Sequence, residues 1–355
     1  MKKRARERAR ERAKKRVLVA MSGGVDSSMA AYLLKKEGYQ VSGITMDFKG
    51  FRNLANSRKI AKNLGITQHI IDIQGELEKK VISDFCTEYL KGKTPNPCVR
   101  CNQYIKFGYL LREAKRLKMD FMATGHYARI VKRGNSLLLE KGKDPLKEQS
   151  YFLYRLSQYQ LKNILFPLGA YTKQGIISLA KEIRLSCSDI PSSQEICFLK
   201  DKGYKQFIKK RISNKIKPGA IVDKEGRILG KHKGVAFYTV GQREGLGIAK
   251  GYPLYISRIN FKNNQIIVGP REEALRKEFL VKQPNFIINP IKKKIALKVR
   301  IRYNHKEASA EVSLQNTKIK VKFKEPQFAI TPGQSAVFYD RDSVIGGGII
   351  DRVLD

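Results

Sequence analysis

The chain has no long apolar run. Nothing in its 355 residues approaches the roughly 18–20 consecutive apolar positions that a membrane span requires. It also lacks the pattern of a secretion signal. The N-terminus MKKRARERARERAKKR is basic, but the apolar stretch after it, VLVAM, is shorter than the usual run of about 7–15 residues. A cytoplasmic protein is expected. Cysteine is scarce: Cys86, Cys98, Cys101, Cys187 and Cys197 are the five. An odd number in a long chain without a signal argues against a framework of structural disulfides and leaves reduced thiols with chemistry to do. Acid is scarce too, with 32 Asp and Glu against 71 Lys and Arg and a net charge of +39.

That imbalance is not the work of the tail alone. Residues 1–16 hold ten basic and two acidic side chains, or +8, so the remaining +31 is spread over the folded body. A basic body is the electrostatic footprint of a polyanion binder, here nucleic acid. The tail itself reads as a solvated helix with Arg and Glu at helical spacing.

The first 200 residues alternate strand and helix signals. VLVA is a short buried strand, and QVSGITMDF is a second. Helical patterns lie at 27–37 and in NLANSRKIAKNLG, where Leu54, Ile60, Ala61 and Leu64 share a face and Gly65 suits a C-cap. A third strand is expected at 68–73, helices at 76–91 and 103–118, and a further strand at 121–124. This order implies an open parallel sheet with helices on both faces, which binds ligands beyond the carboxyl ends of its strands.

The stretch AMSGGVDSS, residues 20–28, falls at such an end. Gly23 and Gly24 let backbone approach a ligand and permit positive φ. The helix that follows offers free N–H groups and a positive dipole end. Ser22, Ser27 and Ser28 add hydroxyls. All of this suits phosphate, yet the Lys-Ser/Thr ending of a Walker loop is missing. A lysine-free loop is better matched to holding pyrophosphate as a leaving group. SGGxDS after a strand resembles the signature of the PP-loop ATP pyrophosphatases, which adenylate an oxygen and release pyrophosphate. On that resemblance Ala20, Met21, Ser22, Gly23, Gly24, Val25, Asp26, Ser27 and Ser28 are expected to hold ATP, with Mg²⁺ screening the phosphates and Asp26 placing the metal or orienting the loop.

Five further stretches narrow the reading: GKTPNPCVRCNQYIKFG (92–108), ATGHYAR (123–129), DPLKEQSYFLYRLSQ (144–158), SSQEICFL (192–199) and YTVGQREGLGI (238–248). Together, and in this order, they resemble the tRNA-specific 2-thiouridylases of the MnmA type, from about residue 16 to 350. The resemblance implies ATP-dependent sulfur transfer to the wobble uridine of tRNA. The C2 oxygen of uracil leaves poorly. Adenylation turns it into a phosphoester that departs as AMP when sulfur attacks C2. Two cysteines suffice, one carrying a persulfide sulfur and one breaking the S–S bond, and thiolates do this work. By resemblance the nucleophile that breaks the bond is Cys101 and the persulfide carrier is Cys197, 96 residues apart. Cys86, in an apolar helix pattern, and Cys187 read as buried fillers.

The resemblance also places Met46 and Gly125 at the nucleotide. It places Asn96, Pro97, Cys98, His126, Lys147, Glu148, Gln149, Arg302, Tyr303 and Gln334 at the tRNA. Two of these depart from the usual pattern. Glu148 stands where the family usually has aspartate. Cys98 stands where many relatives have the aspartate of Asn-Pro-Asp, and it makes a C-x-x-C with Cys101. The segment after the second strand is also more compact than in many relatives. Two routes stay open: a persulfide relay ending in a Cys101–Cys197 disulfide, or an iron–sulfur cluster on Cys98, Cys101 and Cys197.

After residue 200 the texture changes to glycine turns and short strands, and then to period-2 alternation. In ALKVRIRY, Leu297, Val299, Ile301 and Tyr303 face one way and Lys298, Arg300 and Arg302 the other. KIKVKF repeats this with Lys318, Lys320 and Lys322. Rows of like charge on neighbouring strands repel, which points to phosphate as their partner. The expected fold class is α/β: an N-terminal doubly wound parallel sheet, a small central α+β domain and a C-terminal antiparallel β-barrel. The expected boundaries are a tail at 1–16, a PP-loop catalytic domain at 17–203, a central domain at 204–272 and a tRNA-contacting barrel at 273–355. Partners are tRNA and an upstream persulfide donor, with neither DNA nor membrane. The rival readings are a PP-loop amide ligase, which needs no cysteine pair, and an RNA-binding protein with an inactive loop.

Overall fold

The computed structural model describes residues 12–49, 54–185, 196–199 and 203–354. Most of the basic tail, Cys187 and the first half of SSQEICFL lie outside the described residues. The chain divides into two compact units. One holds residues 1–80, 98–200 and 342–344; the other holds 81–97, 201–341 and 345–355.

The first unit is built on a parallel sheet. Strand β1, Arg16–Ala20, has Val17, Leu18 and Val19 fully buried, as a central strand covered on both faces must. It pairs in parallel with β2, Gln40–Asp47, on one side. Strand β3, Thr67–Asp72, extends that side. The chain then returns to the other side of β1 as β4, Phe121–Ala123. After it, β5, Ala128–Arg133, and β6, Ser136–Lys141, form an antiparallel hairpin, and β7, Ile164–Leu165, joins β4 in parallel. The order is β3-β2-β1-β4-β7. Strand order reverses at β1 and β4, so the loops leaving them diverge and open a crevice.

Helix α1, Val25–Lys36, packs Met29, Ala30, Leu33 and Leu34 into the core with Val17 and Val19. Ile60 and Ala61 of α2, Leu54–Asn63, and Ile176 and Ala180 of α3, Lys173–Glu182, complete it. Burying such side chains stabilises the unit by about 1.5–3 kcal/mol for each large one.

In the second unit the helix Ser83–Leu90 stacks Tyr89 on Tyr204 and sets Phe85 edge-on to Phe207. Cys86 is buried there, as a filler would be. A four-stranded sheet follows, β8 Gly219–Val222, β9 Ile228–His232, β10 Tyr255–Asn260 and β11 Gln265–Gly269, in the order β10-β11-β8-β9. Six long strands then form a barrel: β12 Leu275–Phe286, β13 Ile295–Arg300, β14 Ala308–Gln315, β15 Lys318–Phe328, β16 Ser335–Asp340 and β17 Ser343–Val353. The order β12-β15-β14-β13-β16-β17 closes when β17 pairs back on β12. Phe279, Val299, Val312, Val321 and Phe338 fill its core.

The alternation of ALKVRIRY and KIKVKF is present, but the expected rows of unbalanced charge are not. Lys320 and Lys322 both reach Glu278 of β12, at 2.7 and 2.8 Å, and Lys318 reaches Asp351 of β17 at 2.6 Å. Arg300 pairs with Glu307 at 3.2 Å. Glu278 and Asp351 stand on other strands far along the chain, so a single-strand reading does not see them, and Glu307 lies in the turn that follows β13. Repulsion between these lysines is therefore no argument for a phosphate partner.

Candidate active site

Between β1 and α1 the phosphate-type loop takes a defined shape. Gly23 is buried at φ 77°, a left-handed conformation that a side chain would strain. Gly24 differs from expectation. It is the N-cap of α1 at φ −95°, and no side chain caps the helix there. The N–H groups of the first turn thus lack a side-chain acceptor of the usual N-cap kind. Ser27 Oγ accepts from the Ser22 N–H at 3.1 Å and donates to the Gly24 carbonyl at 3.1 Å. Ser28 Oγ donates to the same carbonyl at 2.8 Å and is fully buried. Both hydroxyls shape the loop from inside, and Ser22 is the exposed serine. Met21 and Val25 lie in the core, which leaves Ser22 and, in part, Asp26 as the loop's accessible side chains.

The loop contains no lysine, but the fold brings one to it. Lys173, the first residue of α3, is buried, and its Nζ lies 2.6 Å from Asp26 Oδ1. Tyr127 donates its hydroxyl to the same oxygen at 2.7 Å. Burial first, and then the Asp26 carboxylate, hold the Tyr127 phenol protonated far above its ordinary range. Asp144 positions the lysine: its carboxylate accepts the Lys173 N–H at 2.8 Å and the Leu146 N–H at 2.9 Å. No local pattern marks Lys173, because its partner lies 147 residues away.

The turn after β4 joins this loop to the cysteines. A Cβ on Gly125 would stand 2.7 Å from the Asp26 carbonyl carbon and 2.9 Å from the Ser27 nitrogen, so the two backbones are in contact there. The next residue, His126, is buried. Its Nδ1 is 2.7 Å from Thr124 Oγ1 and its Nε2 is 3.5 Å from Lys106 Nζ. An ammonium only donates, so Nε2 accepts and Nδ1 carries the proton. Burial and the Lys106 charge keep this imidazole neutral, its pKa well below the ordinary histidine value.

Lys106 stands on a π-helix, Cys101–Leu110. Its i→i+5 hydrogen bonding makes a wider turn than that of an α-helix, and Lys106 follows Cys101 by about one such turn. Cys98 and Cys197 are exposed and Cys101 is half-buried. Dense surrounding protein still holds the thiols up: Cys98 is pushed to about 11 and Cys197 to about 12, and Cys101 is raised as well. Cys197 also feels the charges of Cys101 and Cys98, and the Lys106 charge pulls all three down. Cys197, far along the chain from the C-x-x-C pair, thus lies within electrostatic reach of both its cysteines. Among the described residues no set of three His, Cys, Asp or Glu side chains is arranged to hold a metal ion.

Several expected contacts have other work. Glu148 is 3% exposed and accepts from the N–H and hydroxyl of Ser150, so a direct tRNA contact is not available to it. Gln149 exchanges hydrogen bonds with the Tyr127 backbone, accepting at 3.1 Å and donating at 2.8 Å, and so pins the GHY turn. Lys147 and Met46 are half-buried. In the second unit, Arg302 donates to the carbonyl of Ala329 and, at 2.7 Å, to Thr331 Oγ1. Gln334 donates to the Thr94 carbonyl at 2.9 Å. Asn96 and Tyr303 are half-buried and Pro97 is buried.

Three family models match in succession: the tRNA methyl transferase HUP domain over residues 15–201, the tRNA methyl transferase PRC-barrel domain over 205–270, and the aminomethyltransferase beta-barrel domain over 276–350. The chain is 46% identical to the tRNA-specific 2-thiouridylase MnmA 2 of Thermoanaerobacter sp. (strain X514), covering 96% of this chain and 98% of that one. It is 45% identical to the protein of the same name in Clostridium botulinum (strain Hall), with 95% and 99% covered. It is 44% identical to the tRNA-specific 2-thiouridylase MnmA of Clostridium beijerinckii, with 96% and 99% covered. At this identity over nearly the whole of each chain, the protein belongs to the MnmA family of tRNA-specific 2-thiouridylases.

Proposed function

We propose that this protein is an ATP-dependent tRNA 2-thiouridylase that activates the C2 oxygen of the wobble uridine and replaces it with sulfur. One observation supports this above the others. Gly125 touches the backbone of the phosphate-type loop, and its neighbour His126 meets Lys106 on the cysteine-bearing helix. The turn after β4 thus links the phosphate-type loop to the helix that carries Cys101, which supports a site where adenylation and sulfur attack meet at a single carbon.

In this reading the loop backbone and the α1 N-terminus bind the ATP phosphates, and Lys173 supplies the cation that the loop itself lacks. Asp26 would hold a Mg²⁺ ion, which takes one or two carboxylates with phosphates and water. When bound, Mg²⁺ screens the phosphate charge. The uracil oxygen attacks the α-phosphorus and pyrophosphate leaves. The terminal sulfur of a Cys197 persulfide attacks C2 and AMP leaves. The Cys101 thiolate then attacks Cys197 Sγ, freeing the thiocarbonyl sulfur and leaving a Cys101–Cys197 disulfide. An external dithiol reduces it. Free thiols at rest suit a reducing compartment such as the cytoplasm, and an upstream persulfide donor loads Cys197. Lys147, Cys98 and the basic surface are assigned to tRNA.

The test is mass spectrometry of nucleosides from tRNA incubated with protein, ATP–Mg²⁺ and a persulfide donor. 2-Thiouridine with equimolar AMP is expected. An amidated product without sulfur would support an amide ligase instead. Binding of tRNA without AMP release would indicate an RNA-binding protein. The cysteine arrangement would have to draw together to ligate an iron–sulfur cluster. Anaerobic purification with iron analysis, and activity of Cys98→Ala, separate that route from the relay.

A further inference from the structure

We propose that the glycine-rich loop between β9 and β10, residues 241–254, is a nucleotide pocket for tRNA, in which Tyr252 stacks on an unpaired base and Arg243 and Lys250 meet the phosphates beside it. The choice of partner rests on the tRNA-thiolation reading; the pocket itself does not. The loop contains the stretch GQREGLGI, which the sequence singles out and the reaction steps leave without work. Its two ends are tied together. The Gly241 N–H donates to the Ile256 carbonyl at 2.8 Å, and the Ile256 N–H donates to the Gln242 carbonyl at 3.0 Å. Gln242 braces the near end, accepting from the Thr239 N–H at 3.1 Å and donating to the Glu244 carbonyl at 2.8 Å. Leu246 and Leu254 are buried in the core of the four-stranded sheet, and Ile248 packs against it.

Between these anchors lies a cavity of about 430 Å³, walled in part by Arg243, Tyr252, Gly245 and Gly247. The two glycines take φ 75° and 68°, a conformation that suits glycine. No atom comes within 4 Å of where a Cβ on Gly247 would stand, so the rim there is bare backbone. The wall has the chemistry of nucleic-acid recognition. Tyr252 is 50% exposed, and an aromatic ring at a cavity mouth is a platform on which an unpaired base stacks. Lys250 Nζ lies 6.0 Å from the centre of that ring, so a cation already stands beside the platform. Arg243 is exposed on the same wall. The Lys250 charge also reaches Asp223, but that carboxylate is bonded to Arg227 at 2.6 Å. Glu244, the loop's one acid, is not part of the wall. Ring and cations together match a base with its phosphate, and the positive surplus of the whole chain draws a polyanion to them.

The chain contains no tryptophan, so Tyr252→Trp in the full-length protein places a single indole in the pocket. Its fluorescence should be quenched on titration with an unmodified tRNA transcript that carries a wobble uridine. The quenching should follow binding measured by anisotropy of the labelled transcript. Tyr252→Ala should weaken that binding on the order of tenfold, and Tyr252→Phe, which keeps the ring, should retain it. Arg243→Gln and Lys250→Gln should each flatten the slope of log affinity against log salt by about 0.7, whereas Tyr252→Ala should leave the slope unchanged. Melting temperatures check the fold of each variant. Indole fluorescence that stays unquenched while tRNA is bound, or wild-type affinity in Tyr252→Ala, would overturn the proposal. Quenching by uridine monophosphate but not by tRNA would overturn it as well. Should Tyr252→Trp not fold, the affinities of the Ala and Phe variants decide. Quenching by tRNA in a protein that never forms 2-thiouridine would uphold the pocket and refute the function. Thiolation with tRNA affinity unchanged in Tyr252→Ala would refute the pocket alone.

Discussion

Adding one methyl group at Gly125 tests how closely the turn after β4 and the phosphate-type loop depend on each other. The Cβ of Gly125→Ala would lie 2.7 Å from the Asp26 carbonyl carbon, 2.8 Å from its oxygen and 2.9 Å from the Ser27 nitrogen. Carbon contacts are optimal near 3.5–4.0 Å, so the two segments must part by roughly 1 Å. Every atom in the way is backbone of the first turn of α1, so no flexible side chain can yield. Overpacking of this kind costs about 1–3 kcal/mol. For a folding unit of roughly 150–250 residues, the range in which the first unit falls, that is a loss of about 2–4 °C in melting temperature per kcal/mol. Function should suffer more, because a misplacement of about 1 Å can cost on the order of a hundredfold in rate. Calorimetric ATP binding and pyrophosphate release are the assays. Gly24→Ala is the control for folding: its Cβ meets only Ser22 Oγ at 3.6 Å, and its φ of −95° suits any residue. A Gly125→Ala protein with wild-type melting, ATP affinity and pyrophosphate release would refute the reasoning.

Other substitutions probe the remaining contacts. Lys173→Met should weaken ATP binding at least about tenfold by removing the buried cation beside Asp26; equal dissociation constants would remove Lys173 from the phosphate site. Cys197→Ser should block persulfide loading. Cys101→Ser should load sulfur and then stall with tRNA joined to Cys197, and mass spectrometry of intact protein reads both. His126 is buried neutral with its pKa depressed, so the unfolded chain binds the extra proton first. Stability should be complete above about pH 6.5 and fall on acidification by up to about 1.4 kcal/mol per pH unit; His126→Gln should flatten that slope in urea titrations. Arg302→Gln should lower stability by about 2–3 kcal/mol through loss of its bonds to Ala329 and Thr331. A drop in tRNA affinity at unchanged stability would instead make Arg302 a direct contact.

Much of the architecture was legible in the chain because it rests on local pattern. The run VLVA, the glycine-rich turn and the helical pattern after it pointed to a buried strand, a backbone cradle and a covering helix. The period-2 alternation of β13 and β15 dictates which residues fill the barrel, since side chains on a strand alternate faces. Cys98, Cys101 and Cys197 stood in motifs rich enough to be singled out. Tertiary structure decided what depends on partners distant along the chain. It set Lys173 against Asp26, turned the lysines of β15 toward Glu278 and Asp351, and committed Glu148 and Arg302 to the protein's own groups. It brought Lys106 to His126 from a π-helix whose widened turn the residue spacing does not announce. A charge is read from sequence as a residue type, but its partner is chosen by the packing of backbone segments, and only the folded chain contains that choice.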